Sequence, residues 1–300
     1  MRAARSDLPA LTRLWQACFG DTEAEVRAFW QALFDCTPVY LRRAPDGSPA
    51  AMLCALPAEL VGDDGDAVPA AYLYAVCTAP ALRGRGHCRL LLQEAEQDLK
   101  RQGIRAAVLV PAEESLFGFY ARFGYRTVFT CRTETVPAAR GDCSMPLTPD
   151  GWQSLRELQL YDSHLSYPPE LLRWQETISR SSGAGLYRIE TGDAVCCAAA
   201  ERDGETLLVR ELLPDCPEAA AALADKLGCR EAVFRTAGGM QPFGMAKSLD
   251  GTPLPQRAYL RPVQAAEKMY TPIASVAALS ERHARDDSTA QGHWCITALP

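Results

Sequence analysis

Residues 71–92 read AYLYAVCTAPALRGRGHCRLLL, and this stretch decides the fold. Residues 72–78 are rich in aromatic and β-branched side chains, which predicts a buried strand, and residues 90–99 place apolar side chains at helical spacing, which predicts a helix. Between them lie Arg83, Gly84, Arg85, Gly86, His87 and Cys88. Glycines let the backbone turn with its N–H groups outward, a following helix offers unpaired donors and a positive dipole end, and two arginines add fixed charge. An isolated Arg-Gly-Arg-Gly run reads as a solvated surface turn. Flanked by a strand and a helix, the run becomes a cradle for a pyrophosphate. A Walker-type loop is excluded because no Gly-Lys-Ser/Thr follows, and a dinucleotide-binding fingerprint is excluded by the glycine spacing.

Three hundred residues point to two domains, since single cores become uncommon beyond roughly 250 residues. A net charge of −6 and a pI near 5.4 leave no overall basic surface, which argues against nucleic acid or an anionic membrane as partner. The acidic balance is compatible with a cationic amine substrate. No apolar run approaches the roughly 20 residues that span a bilayer, and the opening MRAARSDLPA has no signal-peptide core. A soluble cytoplasmic protein is expected. The twelve cysteines stand singly or as the pair Cys196 and Cys197, without the spacing of a zinc site. They read as core thiols in a reducing compartment, with no metal.

The first block begins with a short strand at 2–5 and a helix from Asp7 with Leu8, Leu11, Leu14, Trp15 and Cys18 on one face, stopped by Gly20. A second helix over 22–35 turns Val26, Phe29, Trp30, Leu33 and Phe34 inward, as core or as a substrate wall. Residues 39–43 and 50–60 predict a hairpin around Pro45-Asp46-Gly47-Ser48. After the cradle come a strand at 105–110, a short helix at 115–123 ending on Gly124, and strands over 125–136. A linker occupies 137–150. A second block follows with helices at 152–165 and 168–180, strands at 186–190, 194–200 and 205–212, a helix at 217–227 and a strand at 231–235. Residues 241–249 and 256–263 are expected to finish its sheet, and 264–300 reads as a poorly packed tail.

The cradle resembles the acetyl-CoA motif of the GNAT superfamily of N-acetyltransferases, R/Q-x-x-G-x-G/A, with Arg83 first, Gly86 fourth and Cys88 where Gly or Ala is usual. Arg83-Gly84-Arg85-Gly86, two non-glycine residues and Arg89 look most like the enhanced intracellular survival type. The resemblance extends to Phe119-Tyr120-Ala121-Arg122-Phe123-Gly124-Tyr125, similar to a Leu/Phe-Tyr-x-x-x-Gly-Phe/Tyr segment of these enzymes. It implies an α/β (α+β) fold of two tandem GNAT-like domains, each a mixed central sheet flanked by helices. The catalytic one spans 1–136 and a degenerate one spans 151–263. The second block has Leu213-Pro214-Asp215-Cys216-Pro217-Glu218 in the cradle's place. Two prolines there lack donors and two acids repel phosphate, so no cofactor is expected in that block.

The resemblance further implies acetyl-CoA as co-substrate and direct transfer of its acetyl group to a primary amine of a small molecule or peptide. Backbone N–H groups of Val76, Cys77 and Thr78 would hold the pantetheine and polarise the thioester, and Arg83, Gly84, Arg85, Gly86, His87, Cys88 and Arg89 would hold the pyrophosphate. Tyr120 would be the general acid that protonates the departing thiolate. Glu113 and Glu114 are candidate bases through water, though acids in a helix's first turn also serve its dipole. The third domain of the enhanced intracellular survival enzymes, with its C-terminal carboxylate, is not expected in this chain. The second domain is expected to shape the acceptor site or a homo-oligomer interface. Transfer of another acyl group, and an acyl-CoA-binding protein without turnover, stay open beside this reading.

Overall fold

The computed structural model describes residues 1–141, 144–192, 194–261 and 263, so the expected tail at 264–300 lies outside the described residues. The predicted strand at 2–5 is reduced to one bridge between Arg2 and Tyr40 and a 3-10 turn at Arg5–Asp7. Helix α1 (Leu8–Phe19) carries Pro9 in its first turn and closes on Gly20 at φ +75°, a left-handed angle that favours glycine. Helix α2 (Glu23–Leu33) is opened by a capping box between Thr22 and Glu25. Trp15, Phe29 and Trp30 are buried, with ring centroids 5.0 to 5.3 Å apart. These aromatics form core.

Strands β1 (Val39–Arg43), β2 (Pro49–Val61) and β3 (Ala67–Thr78) run antiparallel to one another. After helix α3 (His87–Arg101), strand β4 (Ala106–Leu109) lies parallel to β3. Helix α4 (Ser115–Ala121) and strand β5 (Arg126–Pro137) follow. The second half contains β6 (Ser144–Pro146), α5 (Pro149–Gln159), β7 (His164–Ser166), α6 (Pro169–Ser181), β8 (Gly185–Thr191), β9 (Ala194–Asp203), β10 (Thr206–Leu213), α7 (Pro217–Lys226) and β11 (Glu231–Ser248).

These strands form one mixed sheet in the order β1-β2-β3-β4-β11-β10-β9-β8-β6, with β5 paired to β11 and β7 to β2. Alternate residues of β2 and β9 point to opposite faces. One face packs α1, α2, α5 and α6 into a continuous core. The other packs α3 and α4 over the first half and α7 over the second. No described helix is long and apolar enough to cross a membrane.

Three elements depart from the sequence reading. Residues 160–165, expected as helix, instead leave α5 in extended conformation at Leu160, and β7 then pairs with Glu59, Leu60 and Val61 of β2. That edge of β2 is left open where the β1 pairing stops at Cys54. The expected strands at 231–235 and 241–249 join as β11, bent by a bulge between Thr236 and Gln241. Gly239 sits in this bend so close to Cys131 that a Cβ would lie 2.0 Å from its carbonyl oxygen, a fit only glycine permits. Most consequentially, residues 245–248 do not finish a sheet of the second half alone. They pair with β4, while residues 231–234 pair with β10. The expected strand at 256–263 contributes only single bridges at Ala258 and Tyr259.

Candidate active site

Pairing between β3 and β4 covers only Ala70, Ala71 and Tyr72. Beyond Tyr72, β3 has no strand partner on that side among the described residues, so the sheet opens into a cleft. At the same place β3 bulges against β2: Tyr74 faces Cys54 and Cys77 faces Met52, so Ala75 and Val76 together oppose Leu53. An extra residue in a bulge leaves backbone groups outside the ladder. Ala75 is buried and holds φ +51°, a left-handed conformation that costs a non-glycine residue about 1–3 kcal/mol. Strained backbone beside an opened ladder is characteristic of a ligand-holding segment.

The strand ends at Thr78, whose carbonyl accepts from Cys18 Sγ and from Arg83 Nε, each at 3.5 Å. A 3-10 turn at Pro80–Leu82 follows, then Gly84 at φ +73° and Gly86 at φ +79°. Gly86 is the N-cap of α3, which has no side-chain cap and no acid in its first turn. Its leading N–H groups therefore keep their donors for an outside acceptor. A Cβ on Gly86 would meet nothing within 4 Å, so backbone angle and open approach, rather than packing, call for glycine here. Arg83, Arg85 and Arg89 are exposed around this helix end. His87 Nδ1 is enclosed without a hydrogen-bond partner among the described residues.

Cys88 is half-buried and packs against the cluster on the α3 side of the sheet that contains Leu91, Tyr120 and Tyr125. Its side chain therefore joins the core, and the larger residue at this motif position does not fill the cradle. Burial pushes its thiol up to about 12, so it stays protonated and is no nucleophile at neutral pH. The Cys18 thiol is lowered, first by the hydrogen bond from Cys77 and then by Arg83, whereas that same bond and burial raise Cys77.

Tyr120 comes from α4 and is 7% exposed. Its ring packs edge-on to Phe119 at 5.2 Å and Tyr125 at 6.0 Å. Burial, with Cys88 and Cys77 alongside, holds its phenol far above the usual range. It is neutral, and its hydroxyl has no hydrogen-bond partner among the described residues. The structure thus draws together the end of β3, the first turn of α3 and Tyr120. Glu113 instead accepts from Ser115 Oγ at 2.5 Å, and Glu114 is exposed at the N-cap of α4.

Sequence reasoning named Tyr125 as part of the motif but missed the two residues that hold it, Glu96 and Lys247. The Tyr125 hydroxyl donates to Glu96 Oε1 at 2.9 Å, and Lys247 Nζ donates to Glu96 Oε2 at 2.5 Å. Glu96 could have been noticed as an acid on the α3 stripe of Leu92, Ala95 and Leu99. Lys247 has no local signal, because its partner lies 151 residues away.

Residues 1–128 match the family model described as an acetyltransferase (GNAT) domain. Solved structures of similar fold include a conserved protein of Enterococcus faecalis, 17% identical, covering 83% of this chain and 72% of the other with a TM-score of 0.64. A GCN5-related N-acetyltransferase from Anabaena variabilis matches with the same identity, coverage and TM-score. Eis1 from Mycobacterium abscessus is 16% identical, covering 83% and 73% of the two chains with a TM-score of 0.59. No curated protein matches the chain. The chain shares the fold of these acetyltransferase structures, and its first 128 residues match the acetyltransferase (GNAT) domain model.

Proposed function

We propose that this protein is an acetyl-CoA-dependent N-acetyltransferase acting on a primary amine of a small molecule or peptide. The observation that carries the reading is the convergence of an uncapped, arginine-rich helix start, an opened and bulged strand and a neutral tyrosine without a hydrogen-bond partner. The donor set suits a pyrophosphate: backbone N–H groups from Gly84 to Arg89 and the guanidinium groups of Arg83, Arg85 and Arg89. The end of β3 that carries Val76, Cys77 and Thr78 has no strand on its β4 side among the described residues, and Val76 is left out of the register with β2, which suits an amide-bearing pantetheine arm. Acetyl-CoA supplies the activated acetyl group and departs as a thiol.

Tyr120 acts at the sulfur. Because burial keeps the phenol protonated, it presents an O–H to charge developing on sulfur, and a preorganised donor of this kind needs no reorganisation at the moment of transfer. The second half reads as a GNAT-like copy without a cofactor site, exchanging strands with the first through β5 and β11. It closes the acceptor side with α6, whose Trp174 meets Phe29 of α2 at 5.8 Å. The described cysteines are free, which supports a reducing, cytoplasmic setting.

Turnover of an amine panel, followed by release of free thiol, tests the reading. Tyr120→Phe is expected to lower kcat about 100-fold, the usual scale for a general acid, while acetyl-CoA affinity is kept. Unchanged turnover removes the role of Tyr120. Tight CoA binding without turnover on any amine marks an acyl-CoA-binding protein instead.

A further inference from the structure

Strand β11 does more than complete the sheet. Having paired with β10 at 231–234, it crosses into the first half and sets Lys247 opposite Ala107 of β4. The stem of Lys247 lies beside Gly124, the φ +88° turn between α4 and β5, where a Cβ would be 3.6 Å from Lys247 Cε. The ammonium stands 5.7 Å from the centroid of the Tyr125 ring and reaches Glu96 at 2.5 Å. Glu96 is 8% exposed and takes the Tyr125 hydroxyl on its other oxygen. Tyr125 in turn supports Tyr120 edge-on at 6.0 Å.

We propose that Lys247 is a positioning residue for the acetyl transfer, acting through Glu96 and Tyr125 on Tyr120. The inference rests on the reading of Tyr120 as the acid. Glu96 occupies the Tyr125 donor, so the nearest phenol makes no hydrogen bond to Tyr120, whose hydroxyl remains available to the sulfur. Lys247 neutralises the carboxylate that does this work. Without the ammonium, an uncompensated buried carboxylate is left on the Tyr125 hydroxyl, one ring away from the phenol that must give up its proton. Uncompensated charge in a poorly solvated site opposes the build-up of further negative charge there. The second half of the chain thereby contributes a group to a site whose other residues all come from the first.

The test uses the full chain and compares kcat with the KM for acetyl-CoA. Lys247→Met is expected to lower kcat about 10-fold, a change of about 1.4 kcal/mol in barrier, with KM for acetyl-CoA little altered. Lys247→Arg, which keeps the charge, retains most of kcat. Glu96→Gln removes the negative charge and is expected to lose less than Lys247→Met. Combining Glu96→Gln with Lys247→Met restores kcat toward the parent, since the two changes act on one interaction. A purely architectural ion pair predicts the opposite: equal losses for Glu96→Gln and Lys247→Met, and no recovery in the double variant. Either that pattern or an unchanged kcat in folded Lys247→Met overturns the proposal. If Lys247→Met does not fold, the Glu96→Gln and double variants decide by the same signs. Tyr120→Phe is run in parallel. If it keeps full turnover, the reading of Tyr120 fails; if it loses turnover while Lys247→Met does not, only this inference fails.

Discussion

Two strand-turn-helix units, β3 to α3 and β10 to α7, are built alike, and they differ in the chemistry of the turn. In the first, β3 bulges three residues from its end and passes through Gly84 and Gly86 into an uncapped α3 ringed by arginines. In the second, β10 bulges at a matching place, between Val209 and Glu211, and its parallel pairing with β11 also stops early, at Val209. There the likeness ends. Pro217 and Glu218 occupy the first turn of α7, and Asp215 is engaged by Arg132 at 2.5 Å. A proline removes a donor and the acids repel an anion. The interior of the second copy is filled as well: Glu211 and Arg156, both fully buried, pair at 3.0 Å, and Glu201 pairs with Arg210 at 3.0 Å. Similar units thus leave an uncapped helix start in one place and an ionic core in the other.

The largest effect that would break this contrast concerns charge in the first turn. Arg83→Glu with Arg85→Glu is expected to weaken acetyl-CoA binding at least about 100-fold, since two charge-assisted contacts at about 1.5–3 kcal/mol each are lost and replaced by repulsion. Calorimetry should also count one CoA per chain, and a second equivalent would refute the division between the copies. Next in size is the ionic core. Glu211→Ala leaves Arg156 buried beside an empty place, and the expected loss is about 3–5 kcal/mol of stability. Chemical denaturation measures it, and CoA affinity in the folded fraction should not move. If affinity falls with stability, the second copy does more for the cofactor than its turn suggests.

Gly86→Ala sharpens the comparison at smaller scale. The residue meets no steric wall, so the cost is the left-handed angle, about 1–2 kcal/mol, together with a methyl group at the cradle. The expected signature is a weaker Kd for CoA alongside a modest drop in Tm. The smallest effect is at Cys18, whose thiol is lowered by the hydrogen bond from Cys77 and by Arg83. A lowered thiol forms thiolate at lower pH, so Cys18 should alkylate faster than Cys88 at neutral pH. In Arg83→Glu the profile for Cys18 alkylation should move to higher pH. An unmoved profile would show that Arg83 does not act on the end of β3.

Much of the first site was legible because its parts are neighbours in the chain. Gly84 and Gly86 announce a turn with positive φ, and the apolar stripe of α3 begins directly after them. Tyr120 was reached through resemblance rather than pattern, since alone it reads as one more aromatic on a short helix. The bulge at Ala75 carries no sequence mark at all. Alanine is a poor choice for φ +51°, and it adopts that angle only because both flanks of β3 are held by β2.

The sequence by itself determined the strand-turn-helix order of the first half, the glycines and arginines of its turn, and the prolines and acids at the matching place in the second half. All of these depend on local propensity and on charges a few residues apart. The tertiary structure alone decided that β11 joins β10 at one end and β4 at the other, that β7 extends β2, and that Lys247 meets Glu96 beside Tyr125. A strand's alternation shows that it has a buried face but not which edge it will pair with. That choice rests on the open edges left by strands more than a hundred residues away, and through it the second half gains its place in the site of the first.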